Sequence, residues 1–455
     1  MPTQQEIQEA LDELCAKRGI PGAVCGVVVD GEVTVAASGV ANLNTGLPVV
    51  RETLFQAGSI GKSYTATAIM QLVDEGRLDL DAPLREYLPD LRFADGGVSQ
   101  TLTSRQILTH TAGIDGDRLD EDFAFGRGDD CLARYVSSLV DLPLITAPGG
   151  LWSYCNSGYI VLGRVIEVLT GTTYEQALTT RLLEPLGAKD TLFFPGDMVT
   201  RSLAVGHVRQ GDSPAVVAPK WEMSRAAGPA GSTINTTIGD LLTFARLHLA
   251  DGVAGDGTRV LTEASTVAMR QPQAACPEPE LLGDHWGLGW FLRTAAGPLV
   301  VGHDGNTIGL TSCLRLIPER NAAWALLINL AGQNWAAMEL GQQVFDPWIG
   351  TVTPGRPMPQ SHPVGDTDEL VGVYQSVGSR LTVTSKDDAL LLDLASTSDS
   401  DGDREQGRLL PVAGQRFVLR MEALGDDLPA TFLEQAGDRR YEYLHLGARL
   451  HRRQR

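Results

Sequence analysis

Ser59 and Lys62 stand three residues apart in Phe55-Gln56-Ala57-Gly58-Ser59-Ile60-Gly61-Lys62, where an apolar helical run begins. A serine hydroxyl is a weak nucleophile at neutral pH and needs a base beside it. At this spacing on a helix the two side chains share one face and can touch. Burial or a nearby cation lowers a lysine pKa, and the neutral amine can then accept the serine proton. The backbone N–H of Ser59, at a helix start, can donate into an oxyanion hole. An SxxK spacing alone arises by chance in many chains, so it needs company.

Two further stretches supply it. Pro148 to Gly158 reads PGGLWSYCNSG and holds Tyr154 and Asn156 in a glycine-rich loop before a helix expected over 159–169. A tyrosine near a lysine ammonium gives up its proton more readily and can carry it to a leaving group. Asparagine offers a donor and an acceptor to lysine and to a substrate amide. The plain alternative is a helix entry with a packed tyrosine. The third stretch is Gly302-His303-Asp304-Gly305-Asn306, at the end of an apolar strand. Glycine there lets a substrate backbone approach the sheet edge, and His303 is placed to polarise Tyr154 or to contact the acyl group.

The elements that must position these residues follow from periodicity. Residues 4–17 carry Ile7, Leu11 and Leu14 on one helical stripe. Ala23–Val29 and Val33–Ala37 flank Asp30-Gly31, a type I′ hairpin signal. The stretch 79–285 is mostly helical and rich in loops, with a capping box expected at Thr237–Asp240 opening a helix over 238–250. Strands are expected over 286–292, 299–303, 309–317 and 323–330, then a helix over 334–346. This order predicts an α/β (α+β) fold: an antiparallel sheet built from both chain ends, flanked by helices, with an inserted helical subdomain. The divisions expected are a catalytic domain over 1–348, a Pro-rich linker over 349–366 and a β-barrel over 367–455. Six barrel strands are readable: LVGVYQ, RLTVTS, ALLLDL, RFVLR, ATFLE and RYEYLHL.

Composition bounds the function. Among 455 residues, 43% are hydrophobic and 20% charged, which excludes wholesale disorder. A net charge of −19 argues against nucleic acid and anionic lipid as partners. The first residues, MPTQQEIQEALDELCA, lack a basic and then apolar leader, and no run reaches membrane-spanning length. The six cysteines show no CxxC or zinc-like spacing, so free thiols and a cytoplasmic location are expected.

Taken together, the three motifs resemble the serine β-lactamase-related hydrolases of the penicillin-binding fold: class C β-lactamases, D-alanyl-D-alanine carboxypeptidases, D-aminopeptidases, and related esterases and transacylases. Supporting stretches are LFQAGSIGKS (54–63), EGRLDLDAPLREYLPDL (75–91), LTSRQILTHTAGI (102–114), SYCNSGYIVLGRVIEVLTG (153–171), WGLGW (286–290) and GHDGNTIG (302–309). The resemblance spans about residues 5–345. It implies Ser59 as the acylated nucleophile, Lys62 as its base and Tyr154 as proton relay, with Asn156 orienting the acyl amide. It further implies an oxyanion hole from the Ser59 and Asn306 backbone N–H groups, a structural role for His110, and no metal or cofactor.

Lysine and threonine usually fill the two positions that are His303 and Asp304 here, a form similar to D-aminopeptidases and several esterases. An aspartate at the site disfavours a substrate carboxylate. The run DGDRLDEDFAFGRGDD over 115–130, if it lines the cleft, favours a cationic substrate; a solvated loop is the plainer reading. The C-terminal unit resembles the lipocalin-like appendage of penicillin-binding-protein-type thioesterases, which release and cyclise peptides. Its tail after the last expected strand includes Arg449, which together with Asp304 and Gly305 is expected to touch substrate; a surface cation is the alternative for Arg449.

The function expected is a serine hydrolase forming an acyl-enzyme on small ester or amide, peptide-like substrates. The alternative is an acyltransferase or thioesterase that passes the acyl group to an amine, taking a thioester or carrier-protein-bound substrate. β-Lactamase, cell-wall carboxypeptidase and non-catalytic sensor rank below these.

Overall fold

The computed structural model describes residues 1–116, 123–211, 213–360, 367–387, 389–397, 405–421, 427–434 and 441–454. Strands from both sides of the helical region meet in one antiparallel sheet. Its centre runs Glu32–Asn42, Gly22–Val29, Ala322–Ile328, Thr311–Ile317, Val300–Asn306 and Phe291–Arg293, with short strands at each edge. The join between the halves pairs Ala23 with Ile328 and Val29 with Ala322. The first hairpin turns at Asp30 and Gly31, with φ of 47° and 89°, the two positive values a type I′ turn requires.

The middle strands are buried along their length without alternation because both sheet faces are covered. One face packs on Ile7, Leu11 and Leu14 of helix Gln4–Arg18 and on Ala336, Ala337 and Leu340 of helix Asn334–Leu340. The other supports helices Gly61–Asp74, Asn156–Thr170 and Ile238–Leu249. Helix Gln4–Arg18 starts on a Thr3/Glu6 capping box and stops at Gly19. The box expected at Thr237–Asp240 is only half made. Thr237 accepts from the Asp240 N–H, but the Asp240 carboxylate accepts from Asp190 N and Thr191 Oγ1.

The last helix of this body is Asp346–Ile349, and the C-terminal unit opens with strand Gly372–Gln375. Residues 361–366 of the Pro-rich stretch lie outside the described residues. Eight antiparallel strands then close a barrel around Tyr374, Leu381, Leu392, Phe417, Phe432 and Leu444. Two strands exceed the sequence expectation. Glu405–Ala413 was hidden by Gly407 and Pro411. Arg449–Arg453, read as a tail, is the closing strand, pairing Arg453 with Tyr374. Among the described residues no helix is long and apolar enough to cross a membrane.

Candidate active site

Strand Phe55–Gln56 delivers the chain into the single 3-10 turn Gly58–Ile60, which continues as helix Gly61–Asp74. Glycines let two other segments press their backbones onto this turn. Gly58 has φ of 55°, and a Cβ there would lie 2.9 Å from Asn306 N. A Cβ on Gly305 would lie 2.1 Å from Ala57 O and 3.0 Å from Ser59 N. A Cβ on Gly231 would lie 1.9 Å from Gly58 O. No larger residue fits these contacts, and the amides of Ser59 and Asn306 therefore come to the same small region.

Lys62 is fully buried on the first turn of the helix. Its Nζ donates to Ala230 O at 2.8 Å and lies 3.2 Å from Ser59 Oγ. It also sits 4.8 Å from the centroid of the Tyr154 ring and 5.6 Å from that of Tyr159. The spacing that suggested a nucleophile and base thus does place the two side chains together.

Tyr154 is the hub of the site. Its ring stacks on His110 at 4.2 Å and meets Trp286 and His303 edge-on at 6.0 and 6.3 Å. His110 adopts a left-handed φ of 57°. Its carbonyl accepts from Ser153 N at 2.9 Å, and its Nδ1 accepts from Cys155 N at 3.1 Å. Burial, and then the Lys62 charge, hold its pKa well below the ordinary imidazole value, so it is a neutral plate. The structural role implied for His110 is more direct than its motif suggested: it clamps both sides of Tyr154. Asn156 is buried and opens helix Asn156–Thr170, three residues earlier than expected.

His303 and Gly305 face this centre from strand Val300–Asn306. His303 Nδ1 donates to the Asp304 carbonyl at 2.7 Å, which leaves Nε2 as a bare lone pair without a hydrogen-bond partner. Burial first, then the Lys62 charge, push its pKa down to about 3. His303 is therefore a neutral hydrogen-bond acceptor beside Tyr154.

Asp304 corrects the sequence expectation. Alternation along a strand sends its side chain to the opposite sheet face. There both carboxylate oxygens take Arg315, at 2.5 and 3.1 Å. Arg315 is 2% exposed and lies between Phe291 and Trp324. The aspartate neutralises a buried cation and presents no charge to a substrate. Of the acidic run, Asp115 accepts from Val377 N, and Asp129, with its side chain 80% exposed, pairs with Arg225. Residues 117–122 of that run lie outside the described residues.

The barrel contributes a wall that sequence reasoning only partly anticipated. The turn Gly447-Ala448, between strands Tyr441–Leu446 and Arg449–Arg453, docks on the tyrosine loop. Tyr154 N donates to Ala448 O at 2.9 Å, and Leu450 N donates to Ser153 Oγ at 3.2 Å. The Arg449 guanidinium lies 5.4 Å from the Tyr154 ring centroid. Fully buried Glu278 anchors the turn, accepting from His445 Nδ1 at 2.7 Å and from Ala448 N at 3.2 Å. Glu278 and His445 carried no signal in the sequence, since neither belongs to a motif and they come from different domains. Among the described residues no group of three or more His, Cys, Asp or Glu side chains is arranged to hold a metal.

Comparison with known proteins agrees with this architecture. Penicillin-binding protein 4 of Amycolatopsis lactamdurans is 40% identical over 376 residues, covering 82% of this chain and 97% of that protein. The structure of SurE superposes with a TM-score of 0.78 at 30% identity over 99% of both chains, and that of SurE with D-Leu at 0.79 and 30%. A class C beta lactamase from Rhodobacter sphaeroides shares the fold of the larger body, with a TM-score of 0.60 at 22% identity over 74% of this chain and 98% of that one. The Beta-lactamase family profile matches residues 7–346, and the chain belongs to the beta-lactamase family of serine hydrolases.

Proposed function

We propose that the protein forms an acyl-enzyme on Ser59 with ester or amide substrates of peptide-like character. Ser59 Oγ attacks the acyl carbonyl while neutral Lys62 takes its proton. The developing oxyanion is held by the Ser59 and Asn306 N–H groups. Tyr154 then carries a proton to the leaving group, with His303 Nε2 accepting beside it and Asn156 aligning the acyl amide. The observation that carries this reading is Lys62, whose buried Nζ spans Ser59 Oγ and the Ala230 carbonyl. Mass spectrometry after treatment with a fluorophosphonate tests it: an adduct on Ser59 is expected. Lys62→Met should slow acylation by about 10²–10⁴-fold. Absence of the adduct, or full activity of Lys62→Met, overturns the assignment.

A second reading concerns the acceptor. The barrel turn on Tyr154, with Arg449 beside it, favours delivery of the acyl group to an amine in place of water. The likeness to SurE along the whole chain, and the structure of that protein with D-Leu, support an amino-acid or peptidyl acceptor; a thioester donor is part of the same proposal. Peptidyl thioesters assayed with and without added D- and L-amino acid amides separate the readings by product mass. Hydrolysis product alone would exclude transfer. We propose the cytoplasm as the compartment, a reading that six buried free cysteines support.

A further inference from the structure

The two N–H groups proposed to hold the oxyanion sit on separate elements. Ser59 belongs to the turn Gly58–Ile60, and Asn306 ends strand Val300–Asn306. Two donors on separate elements can grip one oxygen only while those elements keep a fixed spacing. The close approaches at Gly58 and Gly305 bring the two backbones together. They are contacts without side chains, and they give the pair no preferred direction. A directional bond between strand and turn is needed as well.

Ser312 supplies one. It lies on strand Thr311–Ile317 directly across from Gly305, so the two share a sheet face. The side chain is 2% exposed, in a strand whose next residues, Cys313 and Leu314, are apolar and buried. A hydroxyl there needs a partner, and Ser312 Oγ donates to Ala57 O at 2.6 Å. Ala57 N is held in turn by Ile234 O at 2.9 Å. The Ala57 carbonyl belongs to the peptide that leads into Gly58, whose φ of 55° swings the chain into the nucleophile turn. The bond runs through space that only glycine leaves open. A Cβ on Gly305 would lie 2.3 Å from Ser312 Oγ and 2.1 Å from Ala57 O.

The neighbouring hydroxyl fixes the other half. Thr311 is directly across from Asn306. Its Oγ1 donates to Leu330 O at 2.9 Å and accepts from Gln333 N at 3.1 Å, with Asn306 Oδ1 at 3.3 Å. The strand end that carries the Asn306 N–H is thereby anchored to the sheet, and Ser312 ties the serine turn to the same sheet. We infer that Ser312 is a positioning residue that sets the spacing of the two oxyanion donors, acting through Ala57 and Gly58. The inference rests on the acyl-enzyme reading, because the spacing matters only if an oxyanion forms there.

The test compares p-nitrophenyl butyrate with its thionoester, in which sulfur replaces the carbonyl oxygen. Both acylate Ser59 with loss of p-nitrophenolate, but negative sulfur accepts weaker hydrogen bonds, so a well-spaced hole favours the ester. In Ser312→Ala the ratio of kcat/KM for ester over thionoester should fall about ten-fold, a part of the 10²–10³-fold lost when a donor is removed outright. The ratio divides out the amount of folded protein and any change in nucleophile or base that both substrates feel. A merely structural role for Ser312 therefore leaves it where it was. Ser312→Cys keeps a side chain of similar shape with a weaker donor and should move the ratio the same way; it replaces Ser312→Ala if that variant does not fold. A ratio at the parental value in the folded variant overturns the inference, whatever the rates themselves do. So does a parent protein that shows no preference for the ester. A fluorophosphonate adduct on Ser59 of the parent separates the two claims. Without it the acyl-enzyme reading falls and takes this inference with it, whereas an adduct with an unchanged ratio removes only the role of Ser312.

Discussion

Removing the Glu278 carboxylate should loosen the tyrosine loop from a distance. Glu278 and His445 are both fully buried, and the carboxylate accepts from His445 Nδ1 and from Ala448 N. In Glu278→Ala both donors lose their acceptor inside the domain interface. Each such group costs about 1–3 kcal/mol, so the pair costs about 2–6 kcal/mol. The barrel should stay folded and attached, since Thr431 Oγ1 still donates to Pro277 O and Arg416 still pairs with Glu280. The loss falls on the turn that holds Tyr154 N through Ala448 O. Hydrogen exchange reads it directly. The amides of Tyr154, Ala448 and Leu450 should exchange at least about 30-fold faster, the equivalent of 2 kcal/mol. Turnover of a p-nitrophenyl ester should fall with them, mainly in kcat. Unchanged exchange at Tyr154 with unchanged kcat would refute the argument that Glu278 positions the tyrosine.

Gly305→Ala should cost about 100-fold or more in kcat/KM with little loss of stability elsewhere, because its Cβ would press on Ala57 O and Ser59 N; activity within a few-fold of the parent would contradict the close approach. Asp304→Ala should cost about 3–5 kcal/mol in chemical denaturation by stranding Arg315, while leaving the ratio of rates on cationic and anionic esters as it was; a changed ratio at intact stability would restore a substrate role for Asp304. His248 and His303 are each held down to about 3, chiefly by burial, and His110 is lowered as well. Their unfolded forms bind protons below about pH 6.5, so their contribution to stability is complete above that value and is lost as pH falls toward about 3. Each lowers stability by up to about 1.4 kcal/mol per pH unit within that window; a Tm that holds constant from pH 7 to pH 5 would count against neutral buried histidines.

The parts of the site that were legible in the sequence are local ones. Ser59 and Lys62 meet because a helix puts them on one face, and His303 and Gly305 because a strand does. Strand parity alone already turns Asp304 away from them, but only the fold places Arg315 opposite. His110 was legible as a motif and not as a contact, since its stacking on Tyr154 depends on how two loops cross. Glu278 and His445 were illegible for a stronger reason. Their pairing exists only where two separately patterned domains touch, and no periodicity within either one specifies it. The closing strand Arg449–Arg453 was missed because four of its five residues are polar or charged, and its pattern appears only beside its barrel neighbours.

Net charge misleads about this site for a physical reason. The chain carries −19 overall, which suggests attraction for a cationic substrate. Exposed charges are screened over about 8 Å at physiological salt, whereas buried ones are not. Around Tyr154 the described histidines His110 and His303 are held neutral, and Asp304 is spent on Arg315. The basic groups nearest the ring are Lys62, whose Nζ lies 4.8 Å from its centroid, and Arg449, whose guanidinium lies 5.4 Å from it. The charge that a substrate meets at the reacting end is therefore decided by these few groups around Tyr154, and the overall charge of the chain does not specify it.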